Sequence, residues 1–114
     1  MKPSLLVLAV ALALVVAPTA VGAGTLAVSP NVTLGSTFTV SGCGYDTTAI
    51  AFEVMGPRKS GIDYFTAAQP VTGGCYSDTW TAWWGVAGDY QITSYALDSK
   101  GGRKKAAVVK FTVT

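Results

Sequence analysis

The stretch Gly35-Ser36-Thr37-Phe38-Thr39-Val40-Ser41-Gly42-Cys43-Gly44-Tyr45 decides the fold. Phe38 and Val40 alternate with Thr37 and Thr39, the period of two that puts apolar side chains on one face of a strand and hydroxyls on the other. Aromatic and β-branched residues suit a pleated, half-buried surface, and Gly42-Cys43-Gly44 closes the run. Ser36 to Ser41 therefore predicts a strand with one dry face.

The same period recurs on both sides of this stretch. Thr25 to Ser29 predicts a strand with Leu26 and Val28 inward, ended by Pro30. Thr48 to Met55 puts Ile50, Phe52 and Val54 on one face and Glu53 on the other, before Gly56-Pro57 breaks it. Ile62 to Ala67 reads as a fourth strand, but its apolar residues occupy both parities and leave its buried face open. After a turn at Gln69 to Gly74, Cys75 to Trp84 sets Trp80, Ala82 and Trp84 inward and Ser77, Thr79, Thr81 and Trp83 outward. Asp89 to Leu97 follows, then Ser99-Lys100-Gly101-Gly102 with the composition of a hairpin loop. Arg103 to Val113 buries Ala107, Val109, Phe111 and Val113. No stretch reads as a helix, and seven short strands predict an all-β antiparallel sandwich.

Residues 1–23 have the parts of an export signal: Lys2, the apolar run Leu5 to Val16, and the small residues Val21-Gly22-Ala23, with a cut expected after Ala23. The segment has roughly the 20 residues of a membrane span. Pro18 and the lack of a following basic cluster favour cleavage over anchoring. The expected mature domain, 24–114, is placed outside the cell. It carries seven basic and six acidic side chains, and 20 Ser and Thr supply most of its polarity. A domain this small is marginal without a staple. In an oxidising compartment Cys43 and Cys75 are expected to pair. The loop of about 33 residues makes that bridge worth roughly 3 to 4 kcal/mol on the chain-entropy model. Loops after alternate strands share a pole, so the bridge should join neighbouring loops at one end of the sandwich. It is not expected to cross between the sheets.

Chemistry is constrained by what the chain lacks. With no histidine and two cysteines there is no zinc cluster, Ser-His-Asp triad or Cys-His pair. The aspartates are isolated, with no alternating calcium loop, and Asp46 and Asp98 are the two expected to converge in space. Strand parity offers Glu53 and Asp63 no shared cleft for glycoside hydrolysis. No catalytic residue, cofactor or metal is expected, and a net charge of +2 does not mark a nucleic-acid binder.

The residues expected to touch a ligand or partner are aromatic and basic. Trp83 interrupts the polar face of its strand, and Tyr95 breaks parity in the same way, with the two expected on different sheets. Tyr64 or Phe65 flanks Trp83 if the fourth strand pairs with the Cys75–Trp84 strand. Lys100, Arg103 and Lys104 form a basic cluster at the pole opposite Arg58-Lys59, suited to an anionic surface or to a solvated edge. Trp80 and Trp84 are expected in the core.

Taken together, Ser29-Pro30, Gly35 to Tyr45, Gly73-Gly74-Cys75-Tyr76-Ser77, Ala87 to Ile92 and Phe111-Thr112-Val113 resemble a bacterial immunoglobulin-like domain of the exported actinobacterial or phage-borne type. The resemblance spans essentially all of 24–114 and implies an immunoglobulin-like sandwich. Such domains serve adhesion, envelope architecture, virion decoration or spacing, and fold does not choose among these. Gly88-Asp89-Tyr90 is similar to a tyrosine corner, which gives Tyr90 a structural role. The expectation is a secreted, non-catalytic module acting by surface contact in cell-envelope adhesion or as part of an assembly. The partner would be a protein or glycan at the cell surface, or a second copy. The alternatives are a carbohydrate or small-ligand module using exposed aromatics, and a filament or phage decoration subunit built by pairing an edge such as Thr25 to Ser29.

Overall fold

Among the described residues, nine strands assemble in two antiparallel sheets, most of them on alternating apolar residues. The computed structural model describes the backbone of Thr19 and Ala20 and residues 24–114. The strands are β1 (Thr19–Ala20), β2 (Ala27–Val28), β3 (Thr37–Gly42), β4 (Ala49–Met55), β5 (Asp63–Phe65), β6 (Gln69–Pro70), β7 (Tyr76–Thr81), β8 (Gly88–Leu97) and β9 (Arg103–Val113). One sheet runs β1-β9-β8-β4-β5, with β6 also on β4; the other runs β2-β3-β7. The β4-β8-β9 and β2-β3-β7 groupings match the CFG and ABE sets of an immunoglobulin-like sandwich. The expected export signal lies outside the described residues except for Thr19–Ala20, whose backbone pairs with β9.

The inward residues are those that the period of two selects. Leu26, Val28, Phe38, Val40, Ile50, Phe52, Val54, Ala107, Val109, Phe111 and Val113 are all buried. Ile92 is buried too, at the β8 position where an antibody-type domain holds a cysteine. Cys43 and Cys75 are bonded with Cα atoms 4.0 Å apart. They sit just beyond the last ladder pair of β3 and β7, Gly42 and Tyr76, so the bridge clips two neighbouring strands of one sheet at their ends.

At the same pole a polar link ties the sheets together. The Tyr45 hydroxyl donates to the Thr25 carbonyl at 2.6 Å and shares a 2.9 Å hydrogen bond with Ser94 Oγ, which is fully buried on β8. Burial pushes the Tyr45 phenol above its ordinary pKa, partly offset by the Ser94 bond. The chain must pass close here. A Cβ at Gly42 would overlap the Thr25 carbonyl oxygen, so only glycine fits.

At the opposite pole the Tyr90 hydroxyl donates to the Val86 carbonyl at 2.6 Å, the bond of a tyrosine corner. Trp84 stacks on Tyr90 with centroids 4.6 Å apart, and both are buried.

Several expected boundaries shift. The first strand shortens to β2, although Thr25 N–H and Ser29 N–H still bond the Cys43 and Thr39 carbonyls on either side. The Gln69–Gly74 turn contains β6, because the open edge of β4 at Ala49 and Ile50 takes up Pro70 and Gln69. The seventh strand stops at Thr81, where the Trp83 N–H donates to the Thr81 carbonyl and turns the chain before Trp84. In β9 the register slips, leaving Ala106 without a partner between the Ser94–Ala107 and Tyr95–Lys105 pairs.

Candidate functional site

The fourth strand pairs with β4, not with β7 as the flanking of Trp83 was expected to require. Its parity is thereby settled: Tyr64 turns toward the core, and Asp63 and Phe65 turn outward. This placement leaves β5 and β6 at one sheet edge and β7 at the edge of the other. No strand bridges the two sheets on that side among the described residues. The gap is a groove of about 300 Å³, with Tyr64, Thr66 and Gln69 on one wall and Tyr76, Asp78, Trp80 and Trp83 on the other.

The aromatic rings are held from behind. Trp80 Nε1–H donates to the Tyr76 hydroxyl at 2.9 Å, and Trp80 packs edge-on against Phe52 with centroids 5.2 Å apart. Trp84 Nε1–H donates to the Tyr64 hydroxyl at 2.8 Å, which fixes the opposite wall. Trp83 lies at the mouth, 67% exposed, with its ring 5.9 Å from Tyr64 and 6.3 Å from Trp84. Trp83 thus reaches Tyr64 without the strand pairing first invoked, because the turn after Thr81 carries it toward the other sheet. A wide ring fixed by neighbours but open on one side offers a large contact area at little conformational cost.

Asp78 gives the groove its charge. It has the inward parity of Tyr76 and Trp80 and lies opposite Val40, yet it is exposed, because β7 is an edge and nothing closes over it. Its Oδ1 accepts the Thr79 N–H at 2.8 Å. Thr39 bonds toward β2, so its cross-strand partner Thr79 turns its N–H to the open edge. A carboxylate occupying that N–H hinders addition of another strand. The second carboxylate oxygen and the Gln69 amide complete a polar lining. The Tyr76-Ser77-Asp78-Thr79-Trp80 pattern contained this signal: a charge at a core-parity position between two aromatics marks an open edge.

The other expected contact residues lie elsewhere. Tyr95 is on the outer face of the larger sheet, 5.4 Å from Phe65, and the Arg103 guanidinium sits 4.3 Å above the Phe65 ring. The Tyr95 hydroxyl donates to Glu53 Oε1 at 3.2 Å. Glu53 and Asp63, given no shared cleft by parity, are diagonal neighbours on this open face. Desolvation and the adjacent Asp63 hold the Glu53 carboxyl above its ordinary pKa.

Of the expected basic residues, Arg103 and Lys104 line one concavity and Lys100 does not. Lys100 lies in the β8–β9 turn, where Asp98 Oδ1 accepts the Lys100 and Gly102 N–H groups. Lys104 lines a concavity of about 260 Å³ that also holds Asp46 and Asp98. Arg103 lines the same concavity, and its guanidinium ends over the Phe65 ring. Among the described residues no three His, Cys, Asp or Glu side chains gather, and no helix is long and apolar enough to cross a membrane.

No protein-family model and no curated protein matches the chain. Among solved structures, the soluble domain of PmoD from Methylocystis sp. ATCC 49242 (Rockwell) is similar. The two superpose with a TM-score of 0.54 over 87% of this chain and 98% of that one, at 9% identity. At that identity the likeness is one of fold alone, a small β-sandwich domain.

Proposed function

We propose that this protein is an exported, non-catalytic module that acts by surface contact, and that the groove between β5–β6 and β7 is its contact site for a glycan of the cell envelope. The observation that carries the reading is Trp83, an indole two-thirds exposed yet braced by Tyr64 and Trp84 at the mouth of a lined groove. An indole face suits the apolar face of a sugar ring, and Asp78, Gln69 and Thr66 supply acceptors and donors for its hydroxyls. The volume is at the low end of ligand pockets, which fits a short glycan segment. The Cys43–Cys75 bridge supports an oxidising compartment.

The test is affinity electrophoresis and tryptophan fluorescence against a panel of soluble envelope polysaccharides, with Trp83→Ala as control. Retardation by at least one polymer, lost in Trp83→Ala and weakened in Asp78→Asn, is the expected result. A panel that neither retards the protein nor shifts its emission at millimolar sugar overturns the reading.

A further inference from the structure

The outer face of the larger sheet is covered by no other element among the described residues, and its charges are sorted by strand. The acids Glu53, Asp63 and Asp89 stand on β4, β5 and β8; Arg103, Lys105 and Lys110 stand on β9. On the same two strands as Glu53 and Asp63 stand Met55 and Phe65, 40% and 44% exposed, which are among the few large apolar side chains the fold leaves out. The register places Asp63, Met55, Gln91 and Lys110 in one row across four strands, in the order acid, apolar, amide, base.

We infer that this face is the docking surface for a second copy of the chain, joined face to face about a two-fold axis that runs along the strands between β4 and β8. Such an axis lays β5 of one copy over β9 of the other and keeps each row over itself. Asp63 of each copy then meets Lys110 of the other, and Met55 meets Gln91. In the next row Phe65, beneath its own copy's Arg103, faces Val108, while Thr93 opposite Glu53 is 3% exposed and lies below the contact. The row is self-complementary, as an isologous interface requires. The alternative axis, across the strands, lays β5 over β5 and acid over acid, so charge selects between the two. Glu53 and Asp63 already crowd each other within one copy, and a cationic strand set over them relieves that repulsion.

Four strands about 4.8 Å apart and three rows of outward residues make a patch roughly 20 Å on a side. Burying that patch on both copies removes roughly 800 Å², below the range of stable specific interfaces, so the dimer is expected to be weak and reversible. This surface is separate from the groove, and its test does not depend on glycan binding.

Sedimentation equilibrium on the purified protein, up to roughly 1 mM and at low and high salt, measures the association. A concentration-dependent dimer that weakens with salt is expected. Asp63→Lys and Lys110→Asp alone should each raise Kd about tenfold or more by setting like charges together. The doubly reversed protein should recover dimerisation to within about threefold. The two single variants, mixed, should form heterodimers, because each then carries the complement of the other. Both positions are solvent-exposed, so unchanged melting curves confirm that the variants fold. A wild-type protein monomeric throughout overturns the inference, as does a dimer indifferent to either reversal or a double variant that fails to recover.

Discussion

Replacing Tyr45 by Phe keeps the ring and removes a hydroxyl that joins the two sheets at the disulfide pole. The Thr25 carbonyl loses its 2.6 Å donor, and Ser94 Oγ loses its 2.9 Å partner, keeping only a long 3.5 Å approach to the Ala107 carbonyl. Two lost bonds at about 1 kcal/mol each, plus part of the penalty for a buried unpaired hydroxyl, give a destabilisation of about 2–3 kcal/mol. For a domain this size that lowers Tm by about 10–20 °C. Ser94→Ala alone should be milder, about 1 kcal/mol, because the Tyr45 hydroxyl retains Thr25. With both changes made, no buried hydroxyl is left without a partner, so the effects should be less than additive by about 0.5–1 kcal/mol. Urea unfolding of the four proteins, followed by near-ultraviolet dichroism, measures the cycle. A Tyr45→Phe protein within about 0.5 kcal/mol of the wild type, or strictly additive effects, would refute the idea that this link couples the sheets.

Reduction of Cys43–Cys75, which closes a separation of 32 residues, should lower stability by about 3–4 kcal/mol while β3 and β7 remain paired; melting with and without a thiol reductant checks this. Gly42→Ala must displace the Thr25 backbone, and a loss of about 2–4 kcal/mol is expected in the same assay. Burial raises the phenol pKa of Tyr45, Tyr76 and Tyr90 above the ordinary 10.0. The folded state thus retains protons that the unfolded chain releases, so stability is full below about pH 10 and falls as pH rises through the raised values. Denaturant midpoints between pH 8 and 11.5 should show the decline, and Tyr45→Phe should flatten it. Glu53 also has a raised pKa, so its carboxylate is disfavoured by folding once pH passes its ordinary value of 4.5. Glu53→Gln should accordingly melt higher than the wild type at pH 7, with the difference vanishing at pH 3.5.

The alternation of Phe38, Val40, Ile50, Phe52, Val54, Val109 and Phe111 with polar neighbours determined the strands and their buried faces, because a period of two is a local property of a pleated backbone. It also determined that Cys43 and Cys75 meet at one pole, since the direction of successive strands alternates. Sequence did not determine which edge the 62–67 segment joins, because Tyr64 and Phe65 give it apolar residues on both faces. The tertiary structure paired it with β4, turned Tyr64 inward and opened the groove against β7. Tertiary structure alone also brought Glu53 beside Asp63, and Tyr45 to Ser94 across 49 residues of chain. Faces follow from neighbours along the chain; edges and registers follow from hydrogen bonds between distant strands, and those are fixed only when the two layers close on one core.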